Sequence, residues 1–134
     1  MKRTVIEVNT RTKEEWIDLT HRIQDCVSAS GLVDGLCTVF VPHTTAALTI
    51  NENADPSVRS DLLMALDRIV PEKMPYAHRE GNSPAHVKAS LIGSSVQVII
   101  KDKRLWLGTW QGIFLGEFDG PRNRRVFVHL AVRE

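Results

Sequence analysis

The C-terminal stretch Arg125-Val126-Phe127-Val128-His129-Leu130-Ala131-Val132 constrains the fold more than any other part of the chain. Val126, Val128, Leu130 and Val132 fall at every second position. That spacing puts all four on one face of an extended strand and calls for a sheet with a buried side. Other β-rich runs supply the partners: Thr4–Thr10, Gly35–Pro42, His43–Ile50, Ser95–Ile100, Arg104–Leu107 and Ile113–Phe118. Lys101-Asp102-Lys103 reads as a hairpin turn. Asp119-Gly120-Pro121 reads as a second turn, because glycine tolerates positive φ and proline presets its own.

Two helices punctuate these strands. Thr12 and Glu15 match a capping box, which predicts a helix from Lys13 with Trp16, Leu19, Ile23, Cys26 and Val27 on one face and Gly31 as its stop. Asp55 before Pro56 caps a second, whose stripe is Val58, Leu62, Ala65, Leu66 and Ile69, and which Pro71 closes. Ser83-Pro84 is suited to start a short third. The helices separate groups of strands rather than alternating with them. The expected class is therefore α+β: one domain over residues 1–134, with a largely antiparallel sheet and two main helices.

A hydrophobic content of 43%, a charged content of 25% and a net charge of +1 give no basis for nucleic-acid or membrane binding. Cys26 and Cys37 form no Cys-x-x-Cys pair and read as reduced, buried thiols. With no apolar signal core or membrane-length run, the expected setting is cytoplasmic.

Tyr76–Lys88 concentrates chemistry that no amphipathic period explains: His78, Glu80, Asn82, His86 and Lys88 around the Gly81–Pro84 break. On a straight helix, eight residues would part His78 and His86 by about 12 Å. A turn at Gly81–Pro84 would bring them back together and set His86 in the first turn of a helix, where the dipole favours neutral imidazole. His43, projecting from a strand end after Pro42, is the candidate third ligand. Three neutral histidines with an open position suit a zinc-like divalent ion, and Glu80 and Asn82 could support them. The plainer alternative is that each histidine is a surface or hydrogen-bonded residue.

Glu117 shares a strand face with Ile113 and Leu115, so it is either paired with Arg122, Arg124 or Arg125, or is a base or supporting carboxylate. Asp119 reads as a turn residue at the edge of such a site. Thr44, Thr45, Lys88 and Arg122 could hold a phosphate or diphosphate, with solvated surface as the alternative. Trp106 and Trp110 read as core or subunit-contact residues.

Pro42-His43-Thr44-Thr45-Ala46, Asn51–Pro56, His78-Arg79-Glu80-Gly81-Asn82, His86–Ser90, Gly108-Thr109-Trp110-Gln111 and Glu117–Arg122 together resemble the YjbQ family across nearly the whole chain. The resemblance implies a compact α+β domain with a mixed β-sandwich, assembled as a homotrimer with sites near subunit boundaries, and a metal-associated site at His43, His78 and His86. It also implies a secondary thiamine-phosphate synthase-like transferase, joining a pyrimidine diphosphate to a thiazole phosphate. For the transferase, the metal and Arg122 with Lys88 would neutralise the leaving diphosphate, which magnesium could accompany. The catalytic candidates are Glu80, Glu117 and Asp119, with Glu80 or Glu117 accepting a proton from metal-activated water in a hydrolase, and the substrate-binding candidates are Thr44, Thr45, Asn82, Lys88 and Arg122. A metal-dependent hydrolase and a non-catalytic trimeric binding module are the alternatives.

Overall fold

The alternating C-terminal strand lies inside a sheet. In the computed structural model, which describes residues 2–132, it runs Asn123–Val132 and pairs antiparallel on both sides. In chain order the elements are β1 (Lys2–Asn9), β2 (Glu15–Asp18), α1 (Thr20–Ser30), β3 (Gly35–Phe40), β4 (Ala46–Glu52), α2 (Pro56–Ile69), α3 (Ser83–Ile92), β5 (Ser95–Lys101), β6 (Arg104–Leu105), β7 (Gln111–Glu117) and β8 (Asn123–Val132). Five strands form one sheet in the order β1-β8-β3-β5-β6, and three form another in the order β2-β7-β4. Every pairing in these sheets is antiparallel, so the expected α+β sandwich is present without the mixed character.

The main core fills the space between the sheets. Ile6, Val8, Cys37, Val39, Val98, Val126, Val128 and Leu130 from the large sheet meet Leu48, Ile113 and Leu115 from the small one, with Ile23 and Val27 of α1 closing one side. Burial pushes the Cys37 thiol up to about 12, which leaves it inert at neutral pH. Val132, at the strand's end, is 54% exposed and does not continue the buried row.

A second cluster lies on the other side of the small sheet: Trp16, Ala47, Phe114 and Phe118 beneath Leu66 of α2 and Ala85 and Ala89 of α3. The small sheet is thus covered on both faces, which explains why β7 is buried at every position after Gln111. Gly116 permits this packing, since a Cβ there would lie 2.5 Å from Cζ3 of Trp16.

Two elements depart from expectation. The predicted first helix begins late, because Glu15–Asp18 is strand β2. The capping-box contact does form, with Glu15 Oε2 accepting from the Thr12 N–H at 3.0 Å, but the chain leaves it extended to pair with β7. The helix starts only at Thr20, whose N–H donates to Asp18 Oδ1 at 2.9 Å, and ends at Gly31 with φ 74° as expected. In α2 the Asp55 cap and Pro56 are in place, yet of the predicted stripe only Leu66 is buried and Ile69 is 67% exposed. The short third helix expected at Ser83-Pro84 forms as the ten-residue α3.

Candidate ligand site

The foundation of the site is a buried ion pair. Glu117, on the inward face of β7, receives hydrogen bonds from Arg124 Nε at 2.8 Å, Thr10 Oγ1 at 2.8 Å and the Asp119 N–H at 3.0 Å; Arg124 Nη2 also bonds its Oε2. Burial alone would push this carboxyl up, but the hydrogen bonds from Arg124, Asp119 and Thr10 override it and hold it below its ordinary value. A saturated, fully buried carboxylate is no general base. Glu117 is a structural anchor, the pairing alternative read from its apolar strand face, with Arg124 as the partner.

That anchor sets the neighbouring loop. Arg124 Nη2 donates to the Thr45 hydroxyl at 2.8 Å, so Thr45 is buried and spent on the arginine rather than offered to an anion. Two residues earlier, Nε2 of His43 accepts the Arg125 N–H at 3.0 Å. A neutral imidazole accepting on Nε2 carries its proton on Nδ1, so His43 presents a donor and not a free lone pair. Burial and then the Arg124 charge hold His43 below its ordinary pKa, with Arg122 and Arg125 adding to the positive field that Glu117 partly offsets.

The Gly81–Pro84 break folds as predicted in kind. Gly81 has φ 78°, Asn82 occupies the N-cap position of α3, and Pro84 lies in the first turn. The rings of His78 and His86 come to 5.4 Å between centroids, edge to face. His86 then shares with His43 and Thr44 a surface cavity of about 480 Å³, which Ser90 and Ser94 also line. Neither serine was singled out from sequence. Ser90 follows His86 by one helical turn, and its hydroxyl donates to the His86 carbonyl at 2.9 Å.

The remaining candidates face elsewhere. Asn82 Nδ2 donates to Asp119 Oδ2 at 2.9 Å, and Arg122 Nη2 donates to the same oxygen at 2.9 Å, so Asn82, Asp119 and Arg122 form one chain across the 119–122 turn. Lys88 is neither solvated nor free: it is buried with Nζ 2.5 Å from both Glu14 and Asp67. Glu80 is largely exposed, its carboxylate 3.9 Å from His78 Nε2. Glu14, Thr10 and Asp67 are residues that sequence reasoning missed, because their partners are distant in the chain. Arg124 stood among the three candidate partners of Glu117, and on an alternating strand it lies out of phase with outward-facing Arg125.

The metal expectation meets a donor problem. Among the described residues no three His, Cys, Asp or Glu side chains are placed to hold a metal ion together. His78 and His86 are adjacent, but His43 is tied to the Arg125 backbone by the nitrogen it would need. A single chain therefore does not assemble the three-histidine set.

The chain matches the UPF0047 protein YjbQ-like family over residues 4–133 and belongs to it. It is 49% identical over 124 residues to a UPF0047 protein of Methanocaldococcus jannaschii, covering 92% of this chain and 90% of that one. A crystal structure of an uncharacterized conserved family member from Clostridium acetobutylicum superposes with a TM-score of 0.94 at 52% identity, over 96% of this chain and 99% of that one. A YbjQ-like protein of unknown function from Sulfolobus solfataricus superposes with a TM-score of 0.94 at 31% identity, over 98% and 97% of the two chains.

These relatives overturn the synthase expectation: the two crystal structures are described as uncharacterized or of unknown function, the Methanocaldococcus jannaschii protein carries only a family designation, and none lends support to thiamine-phosphate chemistry. The geometry agrees, because Lys88 and Arg122, expected to neutralise a leaving diphosphate, already hold carboxylates. The hydrolase alternative and the trimeric metal- or ligand-binding module likewise find no support in these relatives.

Proposed function

We propose that this protein binds a small phosphorylated molecule, its phosphate seated between the His43–Thr44 loop and the His86 face of α3. The observation that carries the reading is the shared cavity: His43, Thr44, His86 and Ser94 converge from three separate segments on about 480 Å³. The Nδ1–H of His43 and the hydroxyls of Thr44 and Ser94 are the kinds of donor an anion recruits, and Arg122, Arg124 and Arg125 bias the potential around His43 positive. A cytoplasmic setting belongs to the same reading and is consistent with the free thiols of Cys26 and Cys37. Titration of inorganic phosphate and pyrophosphate, followed by amide chemical shifts, tests it. Saturable shifts at Thr44, His86 and Ser94 are expected, with about tenfold weaker binding in His43→Ala and His86→Ala. Linear, unsaturated shifts in the wild type would refute it.

A second reading concerns assembly into a homotrimer. The outer face of the five-stranded sheet is bare of helices and carries apolar rows set by strand register: Val5, Phe127 and Phe40 in one, Leu36, Ile99 and Trp106 in another. Val5, Phe40, Ile99, Phe127 and Trp106 are all exposed on the isolated chain. Sedimentation equilibrium is expected to give three times the chain mass, and Phe127→Glu to give one. A monomeric wild type would refute the assembly.

A further inference from the structure

Strand register sorts the outer face of the five-stranded sheet into rows that cross the strands. Val5, Phe127 and Phe40 form one row. Arg3, His129, Thr38 and Gln97 form the next, and Ala131, Leu36, Ile99 and Trp106 the one beyond it. Phe127 and Ala131 are four positions apart on β8, which separates the two apolar rows by about 13 Å. The row between them is polar, and within it Gln97 Nε2 donates to Thr38 Oγ1 at 3.3 Å.

The two apolar rows differ in shape. Phe40 and Phe127 stand together as a ridge, their rings 6.2 Å apart between centroids and tilted by 34°. The other row is a trough, over which opens a cavity of about 710 Å³. Gly35 and Ala131 line it with almost no side chain, and a Cβ on Gly35 would lie 2.2 Å from the Ala131 carbonyl oxygen. Ile99 and Trp106 line it with larger groups.

Charge follows shape. Arg3 and Arg125 flank the ridge, each two positions along its strand from Val5 or Phe127, and both are exposed. Asp34 and Asp102 line the trough, where Asp34 Oδ1 accepts only a long bond from the Asp102 N–H at 3.3 Å. None of these four forms an ion pair among the described residues. Lys101, the cation of the trough, lies over the Trp106 ring at 4.7 Å from its centroid.

We propose that the Phe40–Phe127 ridge of one copy of this chain seats in the Trp106 trough of another, with Arg3 and Arg125 meeting Asp34 and Asp102 at the rim. Ridge and trough match in shape and in charge, yet within one chain they are too far apart to meet. The proposal rests on the assembly reading above and adds to it the two surfaces that mate. Copies joined ridge to trough extend until the ring closes, as three do in a homotrimer. Aromatic rings entering a pocket inside a charged rim are also the arrangement that carries most energy in protein interfaces.

The test is sedimentation equilibrium of two variants, alone and mixed. Phe127→Glu removes the ridge and Ile99→Glu blocks the trough. The two side chains are on the outer face, 38% and 51% exposed, so neither change costs core packing. Each variant alone is expected to run at one chain mass. Mixed in equal amounts they are expected to form a one-to-one pair, since the first keeps an intact trough and the second an intact ridge. A mixture that stays monomeric overturns the proposal. An Ile99→Glu variant that assembles as the wild type does overturns it too, because the trough is then empty or serves a different partner. The mass of the wild type judges the trimer separately: a dimer refutes three copies while the mixing result still decides the contact, and a monomer refutes both.

Discussion

Helices α2 and α3 begin alike and end up held in opposite ways. Each has proline in its first turn, after Asp55 in one and Asn82 in the other. α2 is the better helix on local grounds: fourteen residues, with the Asp55 carboxylate accepting the Ser57 N–H at 2.9 Å. α3 has ten residues and no side-chain cap. Yet α2 buries only Leu66, while α3 buries Pro84, Ala85, Lys88 and Ala89. Small side chains at 85 and 89 let α3 lie close over the small sheet, and its end is tied there by the Leu48 N–H donating to the Gly93 carbonyl at 3.0 Å. Local signals decide whether a segment is helical. The size of the side chains facing the sheet decides how closely it docks, and the His43–His86 cavity is built on the closely docked helix.

Lys88 is where the two helices meet, so its removal should disturb the comparison most. Its ammonium is 3% exposed and bridges Asp67 of α2 to Glu14 of the loop before β2. Lys88→Met strands two carboxylates, of which Asp67 is half exposed and can rehydrate. The expected loss is therefore at the lower end for a broken buried pair, about 3 kcal/mol by urea denaturation. Burial would lower the Lys88 pKa, but its bonds to Asp67 and Glu14 outweigh this and raise it above 10.5. A raised folded pKa gives stability that is fully present below 10.5 and lost as pH climbs through the folded value. The gap between wild type and Lys88→Met should thus be constant near neutrality and shrink in strong alkali. A loss under about 1 kcal/mol at pH 7 would show that α3 is held by its alanines alone.

Much of this was legible in the chain, for identifiable reasons. β8 declared itself because a strand with one wet face must alternate, and α2 because aspartate-proline leaves few other conformations. The His78–His86 approach followed from the glycine and proline between them. What stayed hidden were long-range choices. Nothing local says that Glu15–Asp18 will take β7 as a partner rather than continue a capped turn into helix, since that decision rests on Trp16 filling the space over Gly116. Lys88 looked like surface because its two carboxylates are 74 and 21 residues away in the chain. The three-histidine set stays unassembled in the single chain for a similar reason: three histidines can be counted in a sequence, but the Arg125 N–H that occupies His43 cannot.

The smaller effects lie within α2 and sharpen the contrast from its own side. Leu66 and Ile69 are one helical turn apart and belong to the same predicted stripe, yet Leu66 is 7% exposed and Ile69 67%. Leu66 packs over Phe114 and Trp16, so Leu66→Ala removes buried methyl groups and leaves a gap that a lightly held helix can partly close by settling inward. That places it near the low end for such changes, about 2 kcal/mol. Ile69→Ser removes no buried contact and should stay within about 0.5 kcal/mol by the same urea titration. If the two variants cost the same, α2 packs along its whole stripe in solution, and its difference from α3 reduces to the size of the side chains rather than the depth of burial.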